Sequence, residues 1–177
     1  MARRAGTRGA PGGSATPRGT PQERALGFLA VRWRSREELR RRLLRAGFDP
    51  TDVETTLAGL EASGLVEDGR FAREVVRHQA GSRLAGDRAI REALRAKGVP
   101  AEVAEQAVAE AGDQSQRALD LARRRAPRLA SLSPEQANRR LFGLLIRRGY
   151  PVGVARDACR EALASVMDLD DEAGTVD

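Results

Sequence analysis

The sequence predicts an all-α protein: three tandem three-helix repeats forming an elongated, curved helical array. Four columns of residues recur at one step. Leu39, Ile90 and Leu141 stand 51 residues apart, and the same step relates Leu43, Leu94 and Leu145, then Gly47, Gly98 and Gly149, then Phe48, Val99 and Tyr150. A fixed period of this length marks one supersecondary unit repeated along the chain. Within each copy the two aliphatics lie four apart on one helical face, and the glycine follows as a terminator able to take positive φ. The segments after each glycine keep apolar residues at helical spacing, so each unit continues into a further helix.

Taken in order, residues 1–20 carry four arginines, no acid and almost nothing apolar beyond alanine. Such a segment buries too little surface to offset its ordering entropy and is expected to be disordered. Repeat 1 (21–65) places helices at Gln22 to Trp33, at Arg36 to Ala46 behind a Ser35 N-cap, and over "DPTDVETTLAGLEASG" with Val53, Leu57 and Leu60 inward. Repeat 2 (66–113) has Asp68 to Gln79, Asp87 to Lys97, and "VPAEVAEQAVAEAG" with Val103, Ala107 and Ala111. Repeat 3 (114–166) has Gln114 to about Arg128, Pro134 to Arg148 behind Ser133, and "YPVGVARDACREALA" with Val154, Ala158 and Ala162. Pro50, Pro100 and Pro151 suit helix entry. Residues 167–177 read as an acidic, disordered tail.

The stretch "GSRLAGDR", Gly81 to Arg88, has the glycine spacing of a phosphate-binding loop. Such a loop follows a strand and needs a lysine and then a hydroxyl after its second glycine. Here Asp87 and Arg88 stand in those places, and no strand alternation precedes them. The glycines are instead read as permitting a tight helix-to-helix connection, with Asp87 near a helix N-terminus where negative charge is favourable.

Composition narrows the function classes. Aromatics are 3% of the chain, so its core is built from Leu, Val, Ile and Ala. Net charge is +6, from 31 basic residues of which Lys97 is the single lysine, and its sign favours an anionic partner. The single cysteine, Cys159, excludes an intrachain disulfide and reads as a small buried apolar residue. No membrane span or secretory signal is found, which makes the cytoplasm the expected compartment. His78, the single histidine, has no convergent partners, and one His with one Cys fits no common zinc set. We therefore expect no catalysis, no metal and no cofactor.

The distribution of charge is the remaining signal. Basic residues concentrate on the middle helices: Arg36, Arg40, Arg41 and Arg45 in the first, Arg88, Arg91, Arg95 and Lys97 in the second with Arg83 just ahead, and Arg139, Arg140 and Arg147 in the third. The helices that follow are acidic in the first two units, with Asp52, Glu54 and Glu61, then Glu102, Glu105 and Glu110. One reading is a solvated face with local pairs such as Glu37 to Arg41 and Glu38 to Arg42. The other is a continuous basic surface along stacked units, suited to an extended polyanionic or filamentous partner. A direct helical DNA-binding protein and a plain helical adaptor are the further alternatives.

From Arg24 to Ala164 the chain resembles the RecX family, bacterial regulators of the RecA recombinase. The resemblance rests on "RSREELRRRL" from Arg34, "GLVEDGRFA" from Gly64, "GDRAIREALRAKGV" from Gly86 and "RRGYP" from Arg147. It implies tandem three-helix repeats in a curved monomer. It also implies a non-catalytic modulator that binds the RecA filament on single-stranded DNA and inhibits its extension, ATP hydrolysis and strand exchange. Direct contact with single-stranded DNA is expected to be weaker, and the basic middle-helix residues are the expected partner-binding face.

Overall fold

A computed structural model describes residues 19–173. Every described element is helical. The first unit holds α1 (Pro21–Val31), α2 (Arg36–Arg45) and α3 (Pro50–Ala62). The second holds α4 (Asp68–Val76), which runs on into a π-helical turn (Arg77–Ser82), then α5 (Asp87–Ala96) and α6 (Ala101–Ala109). The third holds α7 (Gln114–Arg125) with a 3-10 turn (Ala126–Leu129), α8 (Pro134–Arg147) and α9 (Val152–Ala173). Three-helix repeats in series are thus the observed architecture.

The helix ends follow local chemistry. Thr20 and Glu23 form a capping box on α1, while Ser35 and Ser133 accept the backbone N–H of Glu38 and Gln136. The three middle helices stop in the same way. Gly47, Gly98 and Gly149 take φ of 91°, 74° and 91°, and the next residue's N–H reaches back to Leu43, Leu94 or Leu145. That residue, Phe48, Val99 or Tyr150, then turns its side chain into the core of its unit. The first helix ends at Val31, so Trp33 lies outside it, in the link to α2. At the other end α9 continues through Ala173, where the sequence reading expected an unstructured tail from residue 167. Residues 1–18 of the basic head and 174–177 of the tail lie outside the described residues.

Each unit has its own apolar core. Leu39, Leu43, Val53 and Leu57 close the first, Phe71, Ile90, Leu94 and Val108 the second, and Leu121, Leu141, Leu145 and Tyr150 the third. The recurring leucines are fully shielded: Leu39, Leu43, Leu94 and Leu145 are all 0% exposed. Cys159 sits in the third core, where burial pushes its thiol up to about 11. Helix packing is extensive within each unit and sparse between units, as in a quasi-linear array.

The units join end to end by a repeated contact. Ser35 Oγ donates to the carbonyl of Lys97, and 51 residues on in each partner the N–H of Gly86 donates to the carbonyl of Arg148 at 2.9 Å. The C-terminal ends of α5 and α8 therefore abut the first turn of the middle helix one unit earlier. This sets carbonyl-rich ends against amide-rich ends, a favourable dipole arrangement. The first joint adds the N–H of Arg36 on Asp68 Oδ1 at 2.9 Å. Arg70 also stacks over Trp33, 4.0 Å from the ring centroid.

Candidate functional site

The second joint is the most elaborated part of the molecule. After the π-helical turn the chain reaches Leu84, a non-glycine residue at φ 47°. Left-handed backbone at a branched residue costs about 1 to 3 kcal/mol and persists only where its surroundings hold it. Here the Leu84 side chain is buried in the third core, and its carbonyl accepts the Tyr150 hydroxyl at 2.8 Å. Burial pushes the Tyr150 phenol up to about 12. Arg117 is buried at the same joint, paired with Asp87, and donates to the carbonyls of Ala111 (2.6 Å) and Gly112 (2.8 Å).

These contacts give "GSRLAGDR" its structural role. Gly86 is the N-cap of α5, and a Cβ there would lie 2.5 Å from the carbonyl of Gly149. Its glycine is required by close backbone approach, with φ an ordinary −76°. Gly81 is different: a Cβ there would meet nothing within 4 Å, so that glycine imposes no constraint on the connection. Asp87 does lie in the first turn of α5, and its carboxylate is engaged by Arg117.

Many of the sequence-predicted basic residues are spent on internal pairs. Arg36 and Arg40 converge on Glu54 at 2.7 and 2.6 Å, and Arg36 also reaches Glu61 at 3.1 Å. Those two arginines hold the Glu54 carboxyl below the usual carboxylate range. Arg41 pairs with Glu37 as expected, and Arg91 with Glu105 at 2.8 Å. Arg88 pairs with Glu92 and also donates to the carbonyl of Ile146 at 2.9 Å, which makes it part of the second joint. Glu38 does not pair with Arg42. Burial alone would raise its carboxyl, but a bidentate Arg32 and the charge of Lys97 hold it low. Lys97 lies 3.8 Å from Glu38. Arg45 bonds only the carbonyl of Arg41, and Arg95 carries no ion pair among the described residues.

The unpaired arginines gather elsewhere. Between the second and third units lies a cleft of about 520 Å³. Arg83 contributes from the second unit, Arg124, Arg125 and Arg128 from α7 and its 3-10 turn, and Arg147 and Arg148 from the end of α8. A second cleft of about 490 Å³ shares Arg125, Arg128 and Arg147 with it and adds Arg139 and Arg140 over Leu129, Leu141 and Leu144. No carboxylate lines either one. Four of the sequence-predicted residues, Arg83, Arg139, Arg140 and Arg147, are thus brought together here. Arg124, Arg125, Arg128 and Arg148 lie outside the set expected from the sequence, and three of them belong to the first helix of the unit and its 3-10 extension instead of to a middle helix. The signal was present as an acid-free run from Leu121 to Pro134. A smaller cleft of about 310 Å³ on the first unit is lined by Arg24, Phe28, Arg42, Arg45 and Ala46, with Arg24 and Arg42 each 5.2 Å from the Phe28 ring centroid.

His78 is exposed on the π-helical turn. Among the described residues no cluster of three His, Cys, Asp or Glu side chains could hold a metal, and no helix is long and apolar enough to cross a membrane. The fold and these surfaces define a helical-repeat protein whose described residues are distinguished by surface charge arranged along joined units. Known proteins agree with that class. Residues 23–60, 68–108 and 113–159 match the first, second and third three-helix domains of RecX. The chain is 41% identical over 144 residues to the regulatory protein RecX of Amycolatopsis mediterranei, covering 80% of this chain and 82% of that one. It is 33% identical over 142 residues to that of Prosthecochloris aestuarii, covering 80% and 93%. The crystal structure of RecX from Lactobacillus salivarius superimposes with a TM-score of 0.73 at 22% identity, over 80% of this chain and 94% of that one. The chain belongs to the RecX family.

Proposed function

We propose that this protein is a non-catalytic modulator, mainly an inhibitor, of the RecA recombinase, acting on the filament that RecA forms on single-stranded DNA. The observation that carries the reading is that all three units match the family's three domains in order. A series of units joined by the same end-to-end contact presents equivalent surfaces at regular intervals, which suits a partner that itself repeats. The exposed arginines of the middle helices, with the others of the basic set, are the proposed contacts.

The test is recombinase ATPase on single-stranded DNA, titrated with the full chain. Inhibition is expected. Joint replacement of Arg45 and Arg95 by Glu should raise the half-inhibitory concentration at least about tenfold, equivalent to about 1.4 kcal/mol. Neither residue forms an ion pair among the described residues, so the fold should survive the change. The acidic-side control, Glu102→Gln with Glu110→Gln, should inhibit like the parent. A parent protein that leaves ATPase unchanged would overturn the proposal.

A further inference from the structure

We propose that the acidic stretch 168–177, which begins within α9 and continues past its end, is the internal counter-anion of the two arginine clefts: it lies across Arg125 and Arg128, and an anion that enters the clefts must first displace it. Both sides of this contact belong to one chain, so it stands independently of any filament.

The two sides carry complementary, uncompensated charge. Among the described residues the clefts are lined by arginines and by no carboxylate. Like charges gathered in this way repel one another, and an anion brought among them relieves that repulsion. From Glu161 to Asp177 the sequence has six acids and no base. Asp170, Asp171 and Glu172 fall in the last turn of α9, where the helix dipole already places negative charge. Asp168 and Glu172 are also four apart, a like-charge spacing that weakens a helix. The helix nevertheless runs to Ala173 with no basic residue in its last turn, so positive charge that offsets these acids comes from another element.

Topology brings that element alongside. α7 and α9 run parallel: Ser115 and Gln116 share a pocket with Val154 and Asp157, and further along both helices Arg123 bonds Glu161 at 2.8 Å. α9 packs against the 3-10 turn that follows α7 as well as against α7 and α8. Its apolar column, Ala155, Ala158 and Ala162 in the third core, continues in the sequence to Val166 and Leu169 at helical spacing. At 3.6 residues per turn, positions 168 and 172 return to within about 20° of the direction of Glu161. Position 168 stands about 10 Å beyond Glu161 along α9, and Arg128 about 9 Å beyond Arg123 along α7 and its 3-10 turn. The Arg123 pair with Glu161 is thus the first rung of a series. The next acid comes level with Arg128, which, like Arg125, is shared by both clefts.

Such a contact turns entry to the clefts into a competition. If the acidic stretch is seated in about nine molecules of ten, the apparent affinity for an external anion falls about tenfold. The pairs lie at the surface, with Arg123 and Glu161 each about half exposed, so salt screens them. Ionic strength therefore sets how open the clefts are.

The experiment uses the full chain and no partner. Hydrogen exchange at residues 166–173 should be slow at low salt and at least about threefold faster at about 1 M, where the Debye length falls to about 3 Å. Exchange in α5 should stay constant. Arg125→Gln with Arg128→Gln should make residues 166–173 exchange fast at both salt concentrations. Calorimetry with inorganic tripolyphosphate as the probe gives a second reading that does not depend on the arginine variant. Asp168→Asn with Asp171→Asn and Glu172→Gln should bind it about tenfold more tightly than the parent. Asp52→Asn with Glu102→Gln and Glu110→Gln changes the net charge equally at three exposed acids of the first two units. That control should stay within about threefold of the parent, since distant surface charges are screened. Equal tightening in both variants would show a general field effect and overturn the contact. So would exchange at 166–173 that ignores both salt and the arginines, or protection there that grows with protein concentration, which would place the stretch on a second copy.

Discussion

Tyr150 concentrates several demands on one side chain. Its ring closes the third core, its N–H completes the stop of α8, and its hydroxyl holds the strained Leu84 carbonyl across the joint. Burial, outweighing the nearby charge of Arg117, pushes its pKa from 10.0 up to about 12. A raised acid pKa means the folded state keeps its proton where the unfolded chain loses it. The resulting stabilisation is fully present below pH 10 and is lost as pH rises from 10 towards about 12. Tyr150 is the single tyrosine of the chain, so its phenolate absorbance can be followed without interference from another. It should titrate near 12 in the folded protein, and Tyr150→Phe should remove the corresponding alkaline fall in stability. A phenolate forming near 10 would show that the hydroxyl is solvated and the contact with Leu84 absent.

At the scale of elements, the joints depend on how closely helix ends can approach. Gly86 and Gly149 face each other backbone to backbone, with a Cβ on Gly149 also falling 2.5 Å from the N of Ala89. Gly86→Ala should therefore push α5 and α8 apart and cost about 1 to 3 kcal/mol, as overpacking does. Gly81→Ala is the informative comparison. It sits in a helical turn, is exposed and has open space for a methyl group, so it should be neutral or stabilising by about 0.5 kcal/mol. Both values can be read from chemical denaturation. Equal effects at the two glycines would mean the close approach at Gly86 does not exist.

At the scale of the whole molecule, three cores in series make stability local. Leu94 is fully buried in the second core, and Leu94→Ala should cost about 2 to 5 kcal/mol through lost transfer energy and a cavity. In a nearest-neighbour array that loss falls mainly on one unit. Hydrogen exchange should accelerate most across α4 to α6 and much less in α2, α3 and α9. Uniform acceleration along the chain would show a single cooperative unit instead.

The repeat, its helices and their glycine stops were legible because they rest on local rules. A helical face needs apolar residues four apart, and a left-handed terminator favours glycine wherever it occurs. The buried columns at Leu39, Ile90 and Leu141 and the caps at Ser35 and Ser133 followed from spacing alone. Tertiary structure decided which charges are free. Arg36 and Glu54 are 18 residues apart, and Arg91 and Glu105 are 14 apart, so their pairing depends on how α2 meets α3 and α5 meets α6. The same holds for the cleft: Arg83, Arg125 and Arg147 come from three segments that meet only because the second and third units dock through Gly86, Gly149 and Tyr150. Local spacing determines a helix face. Electrostatics acts through space, so the fate of each arginine was settled only when the units packed.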